Sequence, residues 1–126
     1  MLRECHRVLK PGGLLAGYTI HTPLDLSQAD LDRASDLGPS FVGGWEDPAT
    51  EAQRAGFGVV QKLDVTAGFR ESSLAWRAGL EATEAVVREE LGSEDYEHQV
   101  ERNGCILAGI DAGLLRRSFW VFERPM

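Results

Sequence analysis

The sequence predicts an α/β fold built on three strands with helices between them. Three observations carry that prediction. Leu14 to Ile20 is an almost unbroken apolar run that follows a Pro11-Gly12-Gly13 turn, the pattern of a strand covered on both faces. Phe119-Trp120-Val121-Phe122 is apolar on successive residues and reads as a central strand. Phe57 to Val65 alternates only in part, with Phe57, Val59, Leu63 and Val65 on one side and Gly58, Val60, Lys62 and Asp64 on the other. That pattern suits an edge strand with one wetter face.

The elements follow in order. Leu2, Cys5, Val8 and Leu9 recur at helical spacing. Lys10 suits the negative end of that helix and Pro11 stops it. After the first strand, His21 to Asp25 is a loop, and a short helix begins at Ser27. Ser27 is its expected N-cap, with Asp30 three residues on as a capping-box variant and Leu26 and Leu31 as a hydrophobic staple. Gly38-Pro39 ends it. Asp47-Pro48 opens another helix, which Gly56 ends. Strand, helix, strand in that order implies a right-handed parallel crossover.

The next stretch is helical. Trp76, Leu80, Val87 and Leu91 fall on one helical face, with Gly92 as terminator. Ser93 is the expected cap of a long helix whose inner stripe is Tyr96, Val100, Asn103, Leu107, Ile110 and Leu114. Gly104 weakens that helix by roughly 1 kcal/mol against Ala, so a break near Asn103-Gly104 is a possible feature. Arg116 and Arg117 suit its negative end.

Composition bounds the function. The chain has 126 residues, 43% hydrophobic and 26% charged, with a formal net charge of −7. That is enough for a single domain with a core. A negative surface argues against nucleic acid, whose phosphates need Lys and Arg, and against anionic membranes. No apolar run approaches the roughly 18 residues of a membrane span, and the N-terminus lacks a signal-peptide pattern. Cys5 and Cys105 lie far apart without metal-ligand spacing and read as free buried thiols in a reducing cytoplasm.

Arg7-Val8-Leu9-Lys10-Pro11-Gly12-Gly13-Leu14-Leu15 resembles the segment entering the fifth strand of class I S-adenosylmethionine-dependent methyltransferases of the small-molecule type. Ala55-Gly56-Phe57, then Asp64-Val65-Thr66, resembles that family's sixth strand, and Leu114-Leu115-Arg116-Arg117-Ser118-Phe119-Trp120 its last. The resemblance implies part of a Rossmann-like methyltransferase sheet: strands equivalent to the fifth, seventh and sixth, the last one antiparallel and central, with added helices. It implies one partial domain over 1–126, made of a helix end and strand (1–20), a lid-like helix and loop (21–46), a helix and edge strand (47–66), a helical insertion (67–115) and a final strand (116–124).

The same resemblance implies transfer of a methyl group from S-adenosylmethionine to a small-molecule acceptor. The family's donor site uses a Gly-rich turn after its first strand and an acidic residue after its second, and these residues contain neither. Gly12-Gly13 cannot substitute, because it precedes a strand, whereas a nucleotide-cradling glycine loop follows one and opens a helix. The chain alone is therefore expected to bind the cofactor poorly or not at all. The edge of the strand Leu14 to Ile20 that the family's fourth strand covers is expected to pair with a second copy or with a complementing N-terminal chain. A non-catalytic interaction module using that edge is the alternative, and a small-ligand binder with a pocket beneath the two long helices is a third reading.

Ligands in open α/β sheets bind outside the carboxyl ends of the strands. Here that end comprises the loop after Ile20, the segment after Val65 and, the last strand being reversed, the region near Arg117-Ser118. His21 is the candidate general base or acceptor-orienting group, since imidazole titrates near neutrality; a histidine bonded to backbone is the bland alternative. Thr22, Thr66 and Arg70 are candidate acceptor contacts, against turn and cap chemistry. Phe41 and Trp45 in a Gly-containing loop are candidates for an apolar lid, against surface packing. Tyr18, Trp76 and Tyr96 read as core. His98, Asp95, Glu89-Glu90 and Glu94 read as solvated, and neither a catalytic triad nor metal-ligand spacing stands out.

Overall fold

The computed structural model describes residues 1–39 and 47–126. The elements are α1 (Leu2–Val8), β1 (Leu14–His21), α2 (Gln28–Leu37), α3 (Pro48–Arg54), β2 (Gly58–Asp64), α4 (Thr66–Ala82), α5 (Glu84–Leu91), α6 (Ser93–Asp111) and β3 (Arg116–Glu123). The strands form one sheet in the order β1-β3-β2, with β3 antiparallel to both neighbours. The C-terminal strand is thus central, and β1 and β2 run in the same direction on either side of it.

Register explains which side chains meet. Leu15 pairs with Phe122, Thr19 with Ser118 and His21 with Arg116 across β1–β3; Val59 pairs with Phe122 and Asp64 with Ser118 across β2–β3. The ladder shifts between Val59 and Gln61, so Val60 is a bulge residue, and the alternation of this strand breaks at that point. Ser118, Trp120 and Phe122 project to one face of the sheet, where all three are buried. Trp120 and Phe122 cluster there with Phe57 and Ala52, and Leu2, Cys5, Leu9 and Leu15 pack against them. The second core lies beneath α2, α4 and α6, where Ala34, Phe69, Ile110, Leu114 and Leu115 are buried with Ile20, Leu26 and Leu37 packed on.

Local chemistry sets the element ends. Ser27 caps α2 by accepting from the Asp30 amide at 3.2 Å. Asp47 stands at the N-cap of α3 and Pro48 at its first position, but the Asp47 side chain makes no cap bond. The last carbonyls of α1 are satisfied from the far end of the chain. Arg124 donates to the carbonyls of His6 at 3.0 Å and of Leu9, which ties α1 to the end of β3.

Several expectations are corrected. β1 is not covered on both faces: Leu14 is 58% and Tyr18 65% exposed, because the described helices pack on only part of that strand. Tyr18 is therefore not core, and neither is Trp76, at 61% exposure. The helical stretch divides at Thr83, whose amide and hydroxyl both donate to the Gly79 carbonyl; Trp76 and Leu91 consequently do not share a buried face with Leu80. The cap of α6 is Gly92 at φ +91°, not Ser93. The positive φ reverses the chain between α5 and α6, a conformation that a Cβ would strain. No break occurs at Gly104, and α6 runs through it. Arg116 and Arg117 begin β3 rather than ending α6, which stops at Asp111. Cys5 and Cys105 are free but only half-buried.

Candidate functional site

The end of the sheet where β1 and β2 finish and β3 begins gathers the polar side chains. His21 is the last residue of β1. Its Nδ1 lies 3.0 Å from the Thr22 carbonyl and its Nε2 lies 2.8 Å from Ser118 Oγ. A carbonyl can only accept, so Nδ1 carries a proton and donates to Thr22, while Nε2 and the Ser118 hydroxyl share the second bond. The ring is thereby fixed at both nitrogens. Ser118 is 1% exposed, so this Ser–His pair offers no accessible hydroxyl for attack, and the Nδ1 partner is a carbonyl rather than the carboxylate of a hydrolytic triad.

His21→Phe is expected to cost about 1–3 kcal/mol, because it leaves the Ser118 hydroxyl buried without a partner. Urea denaturation of the double variant with Ser118→Ala should recover most of that loss. Equal losses with and without Ser118 would show that the bond contributes nothing.

On the β2 side, Asp64 joins two neighbours. Its Oδ1 accepts from the Thr66 amide at 2.9 Å, and its Oδ2 lies 3.3 Å from Arg116 Nη1 across the strands. Hydrogen bonds from the Thr66 side chain and amide, with the Arg116 charge after them, hold the Asp64 carboxyl below the usual Asp value of 3.8. A depressed carboxylate contributes stability above its unfolded pKa and loses it as pH falls through the folded one. The Asp64 contribution is therefore complete near neutrality and fades below about pH 4. Asp64→Asn should flatten that part of the acid limb of a urea-midpoint profile while leaving its shape above pH 5 unchanged.

Thr66 also accepts from the Arg117 amide at 3.2 Å through Oγ1, which fastens the start of α4 to β3. Arg117 occupies the centre of this end of the sheet. Its guanidinium carbon lies 4.9 Å from the ring centroids of both Tyr18 and Phe69, an arrangement in which ring faces stabilise a cation. Its Nε is buried without a hydrogen-bond partner among the described residues.

The structure thus brings His21, Thr22 and Thr66 to one end of the sheet, together with Ser118, Asp64, Arg116 and Arg117. Arg70 is directed elsewhere. It binds Asp111 through two bonds, at 2.7 and 3.4 Å, tying α4 to the end of α6. The hydrogen bond raises the Arg70 pKa and lowers that of Asp111. Phe41 and Trp45 lie outside the described residues. The sequence places Arg117-Ser118 at this end of the sheet but does not give Ser118 its bond to His21 or Arg117 its place against the Tyr18 and Phe69 rings. The available signal was a serine sharing a strand face with Trp120 and Phe122, since a polar group on a core-facing position needs a partner. Among the described residues no group of His, Cys, Asp and Glu could hold a metal ion, and no helix is long and apolar enough to cross a membrane.

No protein-family model and no curated protein matches the sequence. Solved structures do match the fold. A Galdieria sulphuraria protein assigned as a sarcosine dimethylglycine methyltransferase superposes with a TM-score of 0.83 at 16% identity, over 98% of this chain and 46% of its own. Phosphoethanolamine N-methyltransferase 2 of Haemonchus contortus gives 0.78 at 20% identity, over 99% of this chain and 29% of its own. The cyclase SpnF gives 0.68 at 20% identity, over 99% and 43%. The chain therefore has the fold of part of a class I methyltransferase, with the reversed last strand at the centre, and it spans less than half the length of these structures. The presence of a cyclase among them shows that the fold does not fix the reaction.

Proposed function

We propose that this chain forms the acceptor-side portion of a cytoplasmic S-adenosylmethionine-dependent methyltransferase unit that acts on a small molecule. The observation that carries the reading is the reversed β3 between β1 and β2, which places His21, Thr22 and the start of α4 around one end of the sheet. Direct methyl transfer from a sulfonium needs chiefly alignment of a nucleophile, and the His21 ring, its nitrogens engaged by Thr22 and Ser118, offers a fixed surface against which one can be placed. His21 is the residue assigned to that task, with Thr22 beside it as an acceptor contact. The 126 residues by themselves are read as lacking the donor pocket, which further polypeptide supplies, whether continuous with this chain or separate from it.

That polypeptide is assigned to the outer edge of β1. Among the described residues β1 pairs only with β3, and beside its open edge Leu14 and Tyr18 are exposed. An unpaired apolar edge is a template for another strand. A photo-crosslinking phenylalanine analogue in place of Tyr18, followed by sequencing of the attached peptide, tests the assignment. Attachment to a segment containing a strand, a glycine-rich turn and a helix supports the methyltransferase reading. Attachment to a second copy of this chain, or to a segment without that pattern, contradicts it and supports the alternative of a non-catalytic module that pairs through β1.

A further inference from the structure

Between α4 and α6 lies an open cleft of about 400 Å³ whose lining includes Phe69, Ser72, Trp76, Asn103, Ile106 and Arg117. Its charge is opposite to that of the protein. Arg102 and Arg117 line it and, among the described residues, no carboxylate does, in a chain of net charge −7. Neither arginine forms an ion pair among the described residues. The Arg117 guanidinium is held against Tyr18 and Phe69, so it is pre-positioned by ring contacts.

Asn103 supplies the complementary group. It is 6% exposed, and its Nδ2 donates to the Ser73 carbonyl at 2.9 Å. A carbonyl cannot donate, so that bond fixes the amide's orientation and leaves Oδ1 as the free acceptor. Asn103 Oδ1 and Arg117 Nε are both buried without a partner among the described residues, and such atoms are rare in folded chains. Arg117 calls for an anionic oxygen, Asn103 Oδ1 calls for a hydroxyl or amine, and Phe69, Ile106 and the exposed Trp76 provide an apolar wall.

We infer that the cleft binds a small carboxylic acid with a hydroxyl or amino group beside the carboxylate. The carboxylate docks on Arg117, the neighbouring donor on Asn103 Oδ1, and the apolar remainder along Trp76. Identifying this ligand as the methyl acceptor rests on the function proposed above; its binding does not.

Mandelate and its uncharged methyl ester are suitable probes, titrated into the isotope-labelled chain and followed by nuclear magnetic resonance. Mandelate is expected to bind with a dissociation constant on the order of millimolar and at least about tenfold more tightly than the ester. It should move the Trp76 indole and Asn103 side-chain amide signals. Arg117→Met keeps the length of the side chain and removes its charge, so the preference for the acid should vanish. Ser72→Asp sets an anion on the exposed wall of the cleft and should weaken mandelate about tenfold with little effect on the ester; it serves if Arg117→Met does not fold. Absence of mandelate binding, equal binding of the ester, or an undiminished preference in either folded variant overturns the inference. The titration contains no methyl donor, so its failure leaves the methyl-transfer reading standing, and failure of that reading leaves the binding result standing.

Discussion

Trp120→Ala is expected to destabilise the chain by about 3–5 kcal/mol, the range for truncating a large buried aromatic. Trp120 is 2% exposed and belongs to the central strand, with Gly17 opposite it on β1 and Lys62 opposite it on β2. Its ring stacks on Phe122 with centroids 5.6 Å apart, and Lys62 Nζ sits 5.0 Å from its centroid. The indole nitrogen has no partner among the described residues, so the expected loss is one of packing. Folded domains carry only about 5–15 kcal/mol in total, and this one residue accounts for a large share. Urea denaturation provides the measurement, with Val60→Ala as the control, since Val60 is a 56% exposed bulge residue expected to change stability by less than about 0.5 kcal/mol. A loss below about 1 kcal/mol for Trp120→Ala would mean that this face of the sheet is not a packed core.

The second large effect lies in the other core. Leu115 is fully buried and occupies a slot between two glycines. A Cβ on Gly109 would stand 2.5 Å from Leu115 Cδ1 and 2.8 Å from its Cγ, and a Cβ on Gly38 would stand 2.9 Å from Leu115 Cδ2. Gly109→Ala therefore overpacks a side chain with nowhere to go and should cost about 1–3 kcal/mol, although alanine is the better helix former by roughly 1 kcal/mol. Leu115→Ala alone should cost about 2–5 kcal/mol. In the Leu115→Ala background the added methyl keeps only an ordinary contact with Leu37 Cβ at 3.5 Å, so Gly109→Ala should become neutral or stabilising. Additive losses in this cycle would place the strain elsewhere.

Much of the architecture was legible because side-chain periodicity records which face an element buries. The inner stripe of α6 shows this: Tyr96, Asn103 and Ile110 are buried as spaced. So does β3, whose apolar run marks the strand that is central in the sheet. What periodicity does not encode is which neighbour does the covering. Leu14 to Ile20 has the composition of a strand buried on both faces, yet Leu14 and Tyr18 face outward among the described residues. Trp76 has the same history: helical spacing put it with Leu80, but the turn at Thr83 and the open cleft beside it leave it exposed. The site was legible in position and not in contacts. A Pro-Gly turn followed by an apolar run of strand length was enough to set His21 at the strand's carboxyl end. Its bond to Ser118 spans 97 positions, and the Arg70–Asp111 pair spans 41. Such partners are created by the β-register and the α4–α6 packing, which no local pattern specifies.

The central claim is that these residues shape the acceptor side of a methyltransferase-type unit while its donor pocket belongs to other polypeptide. Calorimetric titration of S-adenosylmethionine into the purified 126-residue chain tests it most directly. The expected result is no saturable heat, corresponding to a dissociation constant weaker than about 1 mM. Saturable binding on the order of micromolar would contradict the claim, because the chain would then hold the donor by itself.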